Sequence, residues 1–437
     1  MTTLTENREI DRGAEEFENT PVPAGHRRGL GAVAAVWAGF PMVLTCAIFG
    51  GLIVYSLGFW RGIAAIAVGN LCLMLYVGSL SVLAGRTGEN FAQTAARTFG
   101  RRGAAVPAAF LATVVIGWFA FQTGMAGSIL HDRLGWHEQL TTLAAGLGFV
   151  LLTTLGIRAL SVIGIIAAPL YVVLGGVAIH LAARNGPVDP LSYPGQAGSA
   201  ALSFGAAVTL VIASFIDSGT MTADFTRWSR SGRAGALAAF AAFPVANSIA
   251  LLIGGLVVAC GGATDPGTDG GNFLGLLIDG GGLLVPLAVV FVFVNLGSVC
   301  AHCLYNGAVG WSQLTGRRMR MFTPVLGAIG IVAAVAGIWT YFEQWLNLLG
   351  VIVPPIGAVI IVDQLIMPRI RLRPSDIGAS VRRAPFAGWI AGAGAALLTH
   401  YTAPWLSDAV VGFAVAALIC ALAHIPTDRS TTEETVA

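Results

Sequence analysis

Ser214-Phe215-Ile216-Asp217-Ser218-Gly219-Thr220-Met221-Thr222-Ala223-Asp224 is a polar, glycine-containing interruption in an otherwise apolar run. The run it interrupts, residues 200–220, is long enough to cross a bilayer core, which takes about 20 residues. Polar groups and broken helices at that depth are costly, and they mark transport paths. A break here exposes backbone donors and acceptors to a ligand. Asp217 needs a partner or solvation, while Asp224 reads as a loop ion pair or cap near the inner surface with Arg227.

The rest of the chain supports membrane depth. Of 437 residues 56% are hydrophobic and 11% charged, against about 25% charged in soluble proteins. A net charge of +2 gives no argument for nucleic acid. Every basic residue is Arg, and the 57 glycines suit close helix packing in lipid. Six cysteines lie in or beside apolar runs and read as buried thiols.

Twelve apolar runs are found, at 30–55, 58–83, 104–130, 139–157, 159–183, 200–220, 234–258, 281–313, 322–342, 345–366, 386–403 and 405–424. The fourth and fifth nearly touch at Arg158 and could form one long kinked helix. With the N-terminus inside, 21 Arg residues fall in cytoplasmic segments and 3 in outer loops. That is the positive-inside pattern. The expected fold is all-α and integral to the membrane, with twelve transmembrane helices over 29–425. A polar cytoplasmic segment at 1–28 and a polar tail at 426–437 flank it. Twelve spans without a Walker A or kinase motif point to a secondary transporter of the cytoplasmic membrane, driven by an ion gradient and not an enzyme.

Three more runs carry polar or broken positions. Trp37-Ala38-Gly39-Phe40-Pro41 sits mid-run, and Pro41 frees carbonyls near Ala38 and Gly39 that a cation can take. Trp118 and Gln122 are four apart on one helix face, an aromatic plate beside an amide. Such a pair suits a flat heteroaromatic ring. In the eighth run, Asn295, Ser298 and His302 share a face, and the oxygens of Asn and Ser suit Na⁺. His302 could carry protons or bond substrate. Cys300-Ala301-His302-Cys303 superficially resembles a zinc cluster. On a helix, however, residues 300 and 302 point about 200° apart. The broken runs are five apart, which predicts a 5+5 inverted repeat with two peripheral helices. That prediction rests on these placements, since no identity between the halves is visible.

At these residues the chain resembles the nucleobase–cation symporter family, most closely its cytosine permease branch. Ser214-Phe215-Ile216 with Ser218 to Phe225, Val353-Pro354-Pro355 through Asp363, and Gly117-Trp118-Phe119 carry the resemblance, over about residues 20–425. It implies a leucine-transporter-like symporter that takes up a nucleobase-like ring with a cation, usually Na⁺. It also implies a substrate sandwiched between Trp118 and Phe215, and a cation held by the carbonyls of Gly39 and Met42 with Asn295 and Ser298. The polar set departs from the branch. Val115 stands where the branch has Gln, and Gln122 matches the position used by hydantoin-transporting members. Asp217 replaces a Ser, and Cys300 replaces an Asn that reads the base.

The expected substrate-binding set is therefore Trp118, Gln122, Ser214, Phe215, Asp217, Cys300 and His302. A carboxylate at Asp217 favours amine, amidine or protonated partners, which puts cytosine itself in question. It also opens proton coupling through Asp217 or His302, with a hydantoin or pyrimidine vitamin precursor as cargo. No cofactor beyond the coupling ion and a monomeric state are expected. A metal-dependent membrane enzyme or sensor built on Cys300, His302 and Cys303 is the contrasting class.

Overall fold

In lipid every backbone polar group must be satisfied within the chain, which leaves helices as the natural form of these apolar runs. The computed structural model describes residues 17–185, 189–196, 202–372, 376 and 378–425. The expected tail at 426–437 and the first sixteen residues of the expected polar segment lie outside them. Among the described residues there is no strand, only an isolated bridge between Arg28 and Ser229.

The helices run in order: α1 (Leu30–Gly39), α2 (Leu44–Leu57), α3 (Phe59–Thr87), α4 (Phe91–Phe99), α5 (Ala105–Leu134), α6 (Glu138–Thr154), α7 (Ile157–Asn185), α8 (Phe204–Ala213), α9 (Ile216–Thr220), α10 (Ala223–Thr226), α11 (Gly232–Phe240), α12 (Ser248–Ala259), α13 (Leu274–Asp279), α14 (Leu284–Thr315), α15 (Met319–Val335), α16 (Phe342–Ile352), α17 (Pro354–Ile361), α18 (Arg383–Thr402) and α19 (Asp408–Leu422). A π-helical stretch, Ala241–Asn247, joins α11 to α12, with Pro244 inside it. Among the described residues, six helical stretches are long and apolar enough to cross a membrane, and the bent pair α1–α2 makes a seventh. Leu75 on α3, Leu151 on α6 and Ile390 on α18 are between 64% and 70% exposed, as lipid-facing positions are.

The breaks fall where the sequence interrupts its helices. α1 and α2 meet at 60°. Pro41 cannot donate, so the chain turns tightly there: Phe40 N bonds the Trp37 carbonyl and Val43 N bonds the Pro41 carbonyl. Between α8 and α9, Phe215 leaves helical geometry with φ −139°. The fourth and fifth apolar runs are two helices, divided at Gly156 with φ +75°.

The clearest boundary difference lies in the ninth apolar run. It is expected at 322–342, but α15 stops at Val335 and helical turns resume at Ile338. Gly337, with φ +73°, ends α15 in the left-handed region that glycine tolerates. Apolar residues continue across this cap, so hydropathy carries no trace of it. The loop helices α4 and α13 were not anticipated. α4 begins with a capping box in which Asn90 and Gln93 bond each other's backbone N–H.

Glycine contacts set how close the helices lie. A Cβ on Gly50 would sit 1.8 Å from the Leu251 carbonyl oxygen, and one on Gly254 1.9 Å from that of Ala47, so α2 and α12 touch backbone to backbone. A Cβ on Gly39 would sit 2.4 Å from the Cα of Gly164, which brings α1 equally close to α7.

Two polar assemblies brace the other end of the molecule. The segment before α1 crosses several elements: Val22 N bonds the Gly88 carbonyl, Arg27 bonds that of Gly85, and Arg28 N bonds that of Trp228. Met319 N bonds Glu18. Beside α4, Arg382 grips both oxygens of Asp363 at 2.7 and 2.9 Å, with Thr98 and His424 completing the carboxylate's partners. Arg382 also donates to Asp376 and to the Arg97 carbonyl.

Candidate substrate and cation site

Trp118 on α5 and Phe215 at the α8–α9 break face each other with planes 6° apart and ring centroids 6.4 Å apart. A flat ring slipped between two plates needs about 7 Å, two carbon contacts of about 3.5 Å each. The centroid separation bounds the plane spacing at 6.4 Å, short of that, so a plate must shift outward to admit a ring. Phe342 and Trp345 of α16 stand edge-on to Trp118 at 4.9 and 5.5 Å. Phe121 stacks on Phe342. Gly117 makes room for this wall, since a Cβ there would lie 2.6 Å from the Trp345 ring. Phe40 and Phe243 back Phe215 from the other side.

Among the described residues, four buried polar atoms beside these plates lack a well-formed hydrogen bond: Gln122 Nε2, and Trp118 Nε1, Ser218 Oγ and Asp217 Oδ2, the last three grouped around one carboxylate. Buried polar atoms are normally satisfied, so a cluster of exceptions calls for a ligand. Gln122 Oε1 is already used, accepting from Thr45 Oγ1 at 2.9 Å. Asp217 Oδ1 accepts from the Ser218 N–H at 2.6 Å. The site thus offers a donor from Gln122, with the Trp118 and Ser218 side chains turned to the Asp217 carboxylate.

The other expected contacts are turned elsewhere. The Ser214 hydroxyl donates to the Val211 carbonyl within its own helix. Cys300 Sγ lies between Thr123 Oγ1 and the Phe119 carbonyl at 3.6 and 3.7 Å. The ring nitrogens of His302 face the carbonyls of Ser298 and Val36 at 2.6 and 3.1 Å, and its ring stacks on Phe40. The Val36 carbonyl loses its usual helical partner because Phe40 N turns to Trp37 at the break.

Around the first break, Asn295 clasps the bend. Its Oδ1 accepts from Leu44 N at 2.8 Å and its Nδ2 donates to the Met42 carbonyl at 2.7 Å. Ser298 Oγ, one turn along α14, is buried with no partner. Of the four expected ligands, the Met42 carbonyl and Asn295 thus already hold each other.

Reasoning from sequence missed Thr45, Ser218, Phe342 and Trp345. Ser218 was within sight, inside the quoted interruption. Thr45 is one hydroxyl in an apolar run, and the two aromatics reach Trp118 only through tertiary packing.

The family model described as a permease for cytosine/purines, uracil, thiamine and allantoin matches residues 21–380. The chain belongs to that family. Within it the chain stands on the cytosine permease branch of the nucleobase–cation symporters. It is 31% identical to the cytosine permease of Escherichia coli strain K12 over 358 residues, covering 81% of this chain and 82% of that one. The hydantoin permease of Microbacterium maritypicum is 25% identical over 370 residues, covering 79% and 74%. Among solved structures, Mhp1 in a closed conformation with bromovinylhydantoin bound has a TM-score of 0.75 at 21% identity, covering 93% of this chain and 94% of that one. A Na⁺-coupled sialic acid symporter gives 0.71 at 12% identity, with 94% and 92% covered. The permease is thus a multi-pass membrane transporter of the nucleobase type, not an enzyme.

Proposed function

We propose that this permease imports a cytosine-like heteroaromatic ring across the cytoplasmic membrane by Na⁺-coupled alternating access. The observation that carries the reading is the parallel Trp118–Phe215 pair, 6.4 Å apart, beside buried polar atoms that lack well-formed hydrogen bonds. Stacking supplies affinity for any flat ring, and the amide of Gln122 with the carboxyl group of Asp217 reads its edge. Na⁺ sits at the first break, with the Gly39 and Met42 carbonyls, Asn295 and Ser298 as ligands. Binding of ion and ring are linked because the kinked helix and α14 must stay together to hold the ion. The architecture in this reading has twelve spans in two inverted five-span repeats plus two peripheral spans. The breaks at Pro41 and Ser214–Phe215 support it, as does the Arg distribution, which puts both termini in the cytoplasm. The working unit is a monomer.

The test is uptake of labelled cytosine into proteoliposomes with an inward Na⁺ gradient, against choline. Uracil and hydantoin run in parallel as competitors. Uptake of cytosine, or its displacement by one of these rings, with dependence on Na⁺ is expected. Failure of all three rings to bind or move removes the reading. Ser298→Ala should raise the Na⁺ concentration for half-maximal ring binding on the order of tenfold, the effect of one oxygen lost from a charged centre. An unchanged Na⁺ response takes Ser298 out of the ion site.

One observation favours a second reading, proton coupling. The Met42 carbonyl and the Asn295 amide are already bonded to each other, while the Asp217 carboxyl group is fully buried between Ser218 and Trp118, where a proton can be held. In that case a pH gradient drives uptake without Na⁺, and Asp217→Asn abolishes the drive. His302 is the weaker carrier, because both its ring nitrogens already face backbone carbonyls.

A further inference from the structure

Thr45 lies in the first turn of α2, just past the break, and is 1% exposed. Among the described residues its hydroxyl has one hydrogen-bond partner, Gln122 Oε1. A side-chain amide oxygen only accepts, so Thr45 donates. That bond holds the amide with its oxygen toward Thr45 and one of its two lone pairs engaged, and the buried NH₂ group has no partner among the described residues. Without Thr45 the amide could turn over and present either atom to a ligand. Asp217 shows the opposite polarity: one oxygen accepts from the Ser218 N–H, and the carboxylate draws the Ser218 and Trp118 side chains as donors.

We propose that Thr45 is a positioning residue that sets the polarity of the substrate site, so that Gln122 donates and the permease selects rings presenting a carbonyl or other acceptor to it while an N–H faces Asp217. The inference rests on the assignment of Trp118, Gln122, Phe215 and Asp217 to the substrate site. It goes beyond that assignment because Thr45 touches no ring. Rings that carry a carbonyl and an amino or amide N–H on their edges fit this polarity. Rings offering only donors toward Gln122 do not, because a buried donor facing a donor is left unpaired.

The test compares affinities within pairs of probes that differ by one ring carbonyl, such as cytosine and 4-aminopyrimidine. Uracil and hydantoin are each paired with their own analogue lacking one carbonyl. Binding is read by ligand-dependent stabilisation of the purified, full-length protein. In the wild-type protein the carbonyl should be worth about tenfold in affinity. In Thr45→Val, which keeps the shape and removes the hydroxyl, that ratio should fall several-fold. Thr45→Ser, which restores the hydroxyl, should recover it. A packing role would instead lower both members of each pair alike and leave the ratio untouched. If the rings bind the wild-type protein and Thr45→Val keeps the ratio, or if Thr45→Ser behaves like Thr45→Val, the assignment of Thr45 is overturned while the site stands. If no ring binds the wild-type protein, the site assignment itself fails and the proposal falls with it.

Discussion

Replacing Phe215 with alanine should lower affinity for the proposed ring substrate on the order of a hundredfold, and replacing Trp118 should do the same. Base–aromatic stacking contributes about 1–3 kcal/mol per plate, and about 1.4 kcal/mol is tenfold. Each plate also shields the polar edge from water, so the upper end of that range applies. The two losses should not add, because a ring that has lost one plate no longer lies in the plane the other recognises. Phe215 also packs on Phe40 and Phe243. The unfolding temperature without ligand must therefore be recorded beside the binding curve. Wild-type affinity in either variant, in protein that melts normally, removes the aromatic sandwich from the site.

The second large effect lies away from the cleft. Arg382→Ala should destabilise the fold by about 3–5 kcal/mol, because it strands a buried carboxylate. Arg382 is 3% exposed and Asp363 7%. The guanidinium holds both oxygens of Asp363, and His424 reaches the same carboxylate from the chain following α19. This cluster ties α4, the turn after α17 and the last two helices together. Changing both members to leucine should recover part of the loss, since a buried pair is often replaceable by apolar packing. The measurement is thermal unfolding in detergent. A single variant that melts like wild type, or a double variant that melts well below the single one, contradicts this account.

Much of the fold is legible in local chemistry. Pro41 lacks an N–H, so a kink in the first apolar run follows from one residue. The interruption at Ser214–Asp224 reads as a break because its hydroxyl-rich run cannot sit unsatisfied in lipid. The candidate site is legible where a single helix carries its spacing, as with Trp118 and Gln122 or Asn295 and Ser298. It is not legible where the partner comes from a distant part of the chain. Thr45 finds Gln122 across 77 positions, and Phe342 reaches Trp118 only after α16 has packed. His302 shows the reverse. Its place in the chain suggested a ligand contact, but the break freed the Val36 carbonyl and the imidazole turned to it. The Gly337 cap escaped notice for a simple reason: a left-handed residue ends a helix without changing the hydropathy around it.

The two halves of the kinked helix are fastened to different neighbours. α1 meets α7 at Gly39 and Gly164, and α2 meets α12 at Gly50 and Gly254, each without space for one methyl group. In kinematic terms these are two rigid links, and a sliding joint cannot form where backbones already touch. The freedom left to the chain is rotation about the four residues Phe40–Val43. Thr45 rides on one link and Gly39 on the other. A swing at that elbow therefore parts the Gly39 carbonyl on one link from the Thr45 hydroxyl on the other. In the proposed scheme one rotation then acts on both the ion's carbonyls and the grip on Gln122, which is how a single joint would tie the two binding events together.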